Sequence, residues 1–220
     1  MVLVTVVEGK ERTDIDYFPL TVEYVERLYA GGRIKGSRWV KREGRPSDDA
    51  ILIGRLIDRS IRPLFPKEYK KEIQIIVTVL SVDGESSPDV LSIVATSAAL
   101  AISKIPWLGP VGAVRIGYVK NPTNSSGQES SKKEFITNHG AQELELSDLD
   151  LVVTQLKDKT LMIEAGALQV SEDIAISAIE KAQTENNKII DFIEDFAKTN
   201  GRKKEKVSQD PDFAELLVLL

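Results

Sequence analysis

The stretch Glu72–Val82 constrains the fold most, because a strand-type alternation there sits directly between two helical segments. Ile73, Ile75, Val77 and Val79 alternate with Gln74, Ile76 and Thr78, the two-residue period of a strand with one β-branched face turned to a core. Upstream, Ser47 followed by Asp48 and Asp49 supplies an N-cap and an acidic first turn, which predicts a helix through Ile61. Pro63 stops that helix near Arg62, since its ring disfavours helical geometry in the preceding residue. Downstream, Pro88-Asp89 opens a second helix reaching Ser103, with Ala95, Ser97, Ala98 and Ala99 small enough for close packing.

The rest of the chain extends this mixture. Val2–Val7 reads as a buried strand and Pro19–Tyr24 as a strand with one wet face. Gly112–Lys120 and Glu134–Thr137 read as hairpin arms around the polar tract Asn121–Ser131, and Leu149–Leu156 and Thr160–Ala165 as two more strands. Ser171 caps a long amphipathic helix to Lys198, with Ile174, Ala178, Ala182, Ile189, Ile193 and Phe196 on its apolar side. Gly201–Val207 is a basic linker, and Asp210–Leu220 opens a further helical segment. Strands and helices mix without strict alternation, which favours an α+β fold over a doubly wound sheet.

Composition removes several kinds of chemistry. There is no cysteine, so no disulfide, thiolate metal site or cysteine nucleophile, and a single histidine, His139, excludes a multi-histidine metal centre. The best apolar run, Val90–Ile102, is short for a membrane span and is broken by Ser92, Thr96 and Ser97. The N-terminus lacks the basic flank and small-residue cleavage site of a signal peptide, so the chain reads as a soluble cytoplasmic protein. Its net charge of −5 hides a segregation: Arg27–Lys71 holds 13 of the 29 Lys/Arg but 5 of the 34 Asp/Glu. Basic groups gathered on an acidic protein point to a local anion site.

Arg55, Arg59 and Arg62 stand at i, i+4 and i+7 of the first helix, on one face, while Leu52, Leu56, Ile53 and Ile57 supply its buried side. A salt-bridged, solvated face is the commoner meaning of three such arginines. The preceding glycine-rich loop shifts the balance. It carries Arg38, Lys41, Arg42 and Arg45 beside Trp39, and cations next to an aromatic surface suit single-stranded RNA.

Several motifs carry a resemblance. Tyr17-Phe18-Pro19-Leu20-Thr21-Val22, Lys41-Arg42-Glu43-Gly44-Arg45-Pro46-Ser47, Arg55-Leu56-Ile57-Asp58-Arg59-Ser60-Ile61-Arg62-Pro63-Leu64-Phe65-Pro66 and Gly109-Pro110-Val111-Gly112-Ala113-Val114-Arg115-Ile116-Gly117-Tyr118 occur in register. Together they resemble the polynucleotide phosphorylase family. The resemblance covers Val2 to Lys198 and implies the first of two RNase PH-like domains, a ribosomal-protein-like α+β unit over 1–200. Residues 201–220 would form a linker and the start of a helical domain, and the family's edge strands before Val2 would be missing here. It also implies 3′-to-5′ phosphorolysis of RNA to nucleoside diphosphates, reversible polymerisation, and a homotrimeric ring. The loop with Trp39, Lys41, Arg42 and Arg45 would then meet RNA, and Arg55, Arg59 and Arg62 would face phosphate and RNA. Where the family has two aromatics and two arginines, this chain has Trp39-Val40-Lys41-Arg42, which predicts a looser grip.

The same resemblance implies that bond breaking lies elsewhere. The family's active half holds a divalent ion, expected to be magnesium, on two carboxylates and places a lysine beside them. Here the corresponding positions are Leu144, Asp150 and Val152, so no catalytic or metal residue is assigned. Ser86-Ser87-Pro88-Asp89 occupies the place of the phosphate-binding turn, where Asp89 is expected to cap the helix and repel phosphate. His139 is expected to be exposed, and Trp107 to pack. Two alternatives stay open: a catalytically silent RNA-binding ring scaffold, and a small-anion regulatory site on the arginine face.

Overall fold

The computed structural model describes residues 1–12, 14–33, 45–119 and 134–207. It confirms the α+β class, with strands β1 (Val2–Glu11), β2 (Leu20–Glu26) and β3 (Lys71–Val79), and helices α1 (Asp48–Ile61) and α2 (Pro88–Ile102) in the first half. The second half holds β4 (Gly112–Val119), β5 (Glu134–Thr137), a five-residue helix α3 (Ala141–Glu145), β6 (Leu149–Gln155), β7 (Thr160–Ala167) and α4 (Glu172–Asn200).

The strands form two sheets. The first is mixed, in the order β1-β3-β2, with β1 antiparallel and β2 parallel to β3. The second is wholly antiparallel, in the order β5-β4-β6-β7, and includes the expected β4–β5 pairing. In β3 the alternation works as its sequence demands: Ile73, Ile75 and Val77 are fully buried, and the intervening residues are half-buried or exposed. Their core continues into Tyr24, Leu56, Ile57, Ile61 and Ile93. A second core joins Val114, Ile116, Leu151 and Val153 to Ala178 and Ala182 of α4.

Helix α2 links the halves, touching β1, β3, β4, α1 and α4. Its buried hydroxyls do not stay unpaired. Ser92 Oγ donates to the Pro88 carbonyl, Thr96 Oγ1 donates to the Ser92 carbonyl, and Ser97 Oγ accepts from Val111 N–H at 2.9 Å. Helix α1 is tied across to the second sheet by a 3.1 Å hydroxyl pair, Ser60 to Thr154, both fully buried. Trp107 packs as expected, and its indole N–H donates to the Ile61 carbonyl.

Two expectations need correction. The apolar side of α4 holds at Ala178, Ala182 and Ile193, which are buried, and at Ile174 and Ile189, which pack on the second core, but Phe196 is 41% exposed. Leu52 of α1 also faces solvent, because the helix turns Leu56 and Ile57 inward. The residues after α4, 201–207, are tied back to the end of α2 and the turn after it. Arg202 N–H donates to Ile102 O and Glu205 N–H to Lys104 O, while Lys204 Nζ reaches Leu100 O at the end of α2. Glu205 then accepts from Lys71 and Lys104, which also meet Glu8. Hydrogen bonds from Lys104 and then Lys71 hold the Glu205 carboxyl below its ordinary range, and burial lowers Lys204.

Candidate nucleic-acid interface

Helix α1 is set by local chemistry before packing acts. Ser47 Oγ accepts from Ala50 N–H at 3.1 Å, and Asp48 and Asp49 sit against the positive end of the helix. The helix then packs beside β2, leaving a groove of about 400 Å³ along Leu20–Val25 whose helical wall includes Arg55, Asp58 and Arg62.

The three arginines part company here. Arg62 is a structural fastener. Its Nε and Nη2 donate to both Asp58 oxygens, Nη1 donates to Phe18 O at 3.0 Å, and Nη2 to Leu20 O at 3.1 Å. Those bonds pin the end of α1 to the start of β2 and leave little of the guanidinium for a ligand. Among the described residues Arg59 reaches only Glu164 of β7, at 3.5 Å with both side chains more than half exposed, an ion pair of small worth. Arg55 is exposed and makes no ion pair among the described residues. Arg45 lies exposed two residues before the cap. Trp39, Lys41 and Arg42 lie outside the described residues.

A second constellation lies at the N-terminal end of α2, where the sequence places the silent counterpart of an active centre. Asp89, 6% exposed, is not simply a cap. Its Oδ1 accepts from Val90 N–H, and its Oδ2 accepts from Arg115 Nη2 at 2.8 Å. Arg115 Nε stands 3.1 Å from Asp150 Oδ1, an ion pair without hydrogen-bond geometry, so one guanidinium lies between two carboxylates and is hydrogen-bonded to Asp89 alone of the two. His139 corrects the expectation of exposure: it is 3% exposed, with Nε2 3.7 Å from Asp150 Oδ1 and neither ring nitrogen hydrogen-bonded. Asn138, in the left-handed region at φ 52°, turns the chain so that the imidazole lies over β4. It fits because Gly117 has no side chain; a Cβ there would stand 2.6 Å from His139 Cδ2.

This cluster is what sequence reasoning missed. The available signal was Arg115, the lone charge in the apolar run Gly112–Val119. The residues do not suit a divalent ion. Arg115 already occupies Asp150, Val152 is buried in the second sheet, and Leu144 lines the adjoining cavity with Ser86, Ser87 and His139. Among the described residues, no group of three or more His, Asp and Glu is placed to hold a metal.

Residues 1–106 match the sequence model of the 3′ exoribonuclease family, domain 1, and residues 109–185 match domain 2 of the same family. The chain belongs to the 3′ exoribonuclease family. The two matches meet between α2 and β4, where the first core gives way to the second. Polyribonucleotide nucleotidyltransferase of Caldicellulosiruptor bescii is 49% identical over 195 residues, covering 89% of this chain and 26% of the relative. The enzyme of the same name from Deinococcus deserti is 45% identical over 218 residues, covering 99% of this chain and 28% of the relative. The chain therefore spans about a quarter of the length of these relatives. Rice (Oryza sativa) Rrp46 shares the fold, with a TM-score of 0.67 at 17% identity over 90% of this chain and 83% of that one. No helix among the described residues is long and apolar enough to cross a membrane.

Proposed function

We propose that this chain is the RNA-holding first core unit of a cytoplasmic 3′-to-5′ phosphorolytic polyribonucleotide nucleotidyltransferase. The single observation that carries this reading is a division of labour among charges. Asp150, the one carboxylate retained where the family holds metal, is paired with Arg115 inside the fold, while Arg55 and Arg59 stand at the surface without a strong acidic partner among the described residues. Guanidinium forks at that surface suit successive phosphates of a strand, with Arg45 and the loop residues Trp39, Lys41 and Arg42 adding charge and a stacking plane. Arg62 acts in this scheme by holding α1 against β2, in place of the direct phosphate contact expected from its spacing.

In the overall reaction, an oxygen of inorganic phosphate attacks the phosphorus of the last phosphodiester and displaces the 3′-oxygen of the penultimate nucleotide, releasing the terminal nucleotide as a nucleoside diphosphate and leaving a shortened RNA with a free 3′-hydroxyl. The magnesium, the lysine and the second carboxylate belong to a second RNase PH-like unit, and three copies close the ring. The test uses the purified 220-residue chain with single-stranded RNA, phosphate and magnesium. RNA binding that weakens with salt, with no diphosphate released until the second unit is supplied, supports the reading. Diphosphate release by the chain alone overturns the silence of this half, and binding without phosphorolysis even after addition favours a scaffold.

A further inference from the structure

The cavity beside the start of α2 measures about 300 Å³ and is lined by the apolar residues Val82, Pro88 and Leu144 and by the polar residues Ser87, Arg115 and His139. His139 is the group the fold does not account for. It is 3% exposed, and neither ring nitrogen has a hydrogen-bond partner, so burial has removed water from the imidazole without replacing it. The packing tells which nitrogen is on offer. A Cβ on Gly117 would stand 2.6 Å from Cδ2 and 3.0 Å from Nε2, so that edge of the ring lies against β4. Nδ1, on the far side of the ring, then faces the cavity that the residue lines. Nε2 stands 3.7 Å from Asp150 Oδ1, which favours the tautomer carrying its proton there. Nδ1 is left as an acceptor with nothing to accept.

The cavity does not suit an anion. At the start of α2 the chain's own carboxylates already take the backbone donors: Asp83 accepts from Glu85 and Ser86 N–H, and Asp89 accepts from Val90 N–H. The Arg115 guanidinium is hydrogen-bonded to Asp89. What remains is a small set with little net charge. It comprises the Nδ1 acceptor, the Arg115 Nε–H, which has no hydrogen-bond partner, and the Ser87 hydroxyl, which makes no capping bond to the helix.

We infer that this cavity binds an uncharged nucleobase. A base carries an N–H donor beside a carbonyl or ring-nitrogen acceptor on one edge. The donor meets His139 Nδ1, the acceptor meets Arg115 Nε–H or the Ser87 hydroxyl, and Val82, Pro88 and Leu144 offer apolar surface to the ring. The choice of a base over other uncharged heterocycles rests on the RNA reading above; the unpartnered nitrogen does not.

His139 is the only histidine in the 220-residue chain, so isotope-labelled histidine gives one imidazole, whose Nδ1 resonance reads the cavity directly. Titration of the purified chain with uridine or adenosine at neutral pH should move that resonance saturably, with a Kd of about 0.1–1 mM for ligands of this size. An oligouridylate that gives the same shift assigns the site to a base within a strand, and a shift with the nucleoside alone assigns it to free nucleosides. Leu144→Trp fills the cavity from its apolar side and keeps the reporter histidine; it should weaken nucleoside binding by about tenfold or more. Arg55→Gln with Arg59→Gln should leave that binding unchanged. A wild-type resonance indifferent to both nucleosides up to about 10 mM, one moved as far by inorganic phosphate or spermidine, or a response that survives Leu144→Trp overturns the inference. RNA held at the arginine surface with no response at His139 overturns it too, and leaves the proposed function standing.

Discussion

Replacing Arg115 by methionine tests the central electrostatic feature of the cluster at the start of α2. The substitution keeps the apolar stem and removes the cation from between Asp89 and Asp150, whose side chains are 9% and 32% exposed. Stranding a buried carboxylate in this way costs about 3–5 kcal/mol. Asp150 can rehydrate because a third of it is already wet, so Asp89 carries most of the loss and about 3 kcal/mol is expected. For a chain of this size that corresponds to a fall in Tm of about 6–12 °C. Urea unfolding followed by circular dichroism, with a thermal melt beside it, gives both numbers. Adding Asp89→Asn should restore more than half of the loss, because the amide still accepts from Val90 N–H and no longer strands a charge. A loss below about 1 kcal/mol, or a double variant no better than the single, would refute the claim that Arg115 neutralises this site.

Other consequences are separable from that one. Arg55→Gln with Arg59→Gln should lower the slope of log K against log salt for single-stranded RNA by about 1.4, measured by fluorescence anisotropy, with unfolding unchanged. Arg62→Gln should do the reverse, costing about 1–2 kcal/mol in urea unfolding by freeing Asp58 and two carbonyls, while the folded protein keeps its RNA affinity. Gly117→Ala should cost about 1–3 kcal/mol in the same assay, because the new Cβ would stand 2.6 Å from the buried His139 ring. The segment after α4 should release in acid. Glu205 has a folded value depressed from 4.5, so its anchoring is complete above that pH and is lost as pH falls through the lower folded value. Hydrogen-exchange protection of the Arg202 and Glu205 amides should therefore be high at neutral pH and lost in acid below the ordinary carboxylate range, while β3 amides keep theirs.

By itself the amino-acid order determined the local elements and the family. Cap chemistry at Ser47 and the alternation of Ile73 to Val79 are short-range instructions that the structure follows; α1 also ends at Ile61, but Arg62 before Pro63 keeps helical geometry and opens a 3₁₀ turn to Leu64. The segregation of positive charge was equally legible, because a composition shift needs no coordinates. What only tertiary structure decided was which charges are spent inside the fold. Arg55, Arg59 and Arg62 share a helical spacing, yet Arg62 alone meets two carbonyls delivered by residues more than forty positions away. His139 sits in a polar turn but is buried, because Gly117, distant in sequence, leaves a hole of its size. Periodicity reports which side of an element a residue occupies; whether that side finds a carboxylate, a carbonyl or water depends on chain segments brought together only by folding.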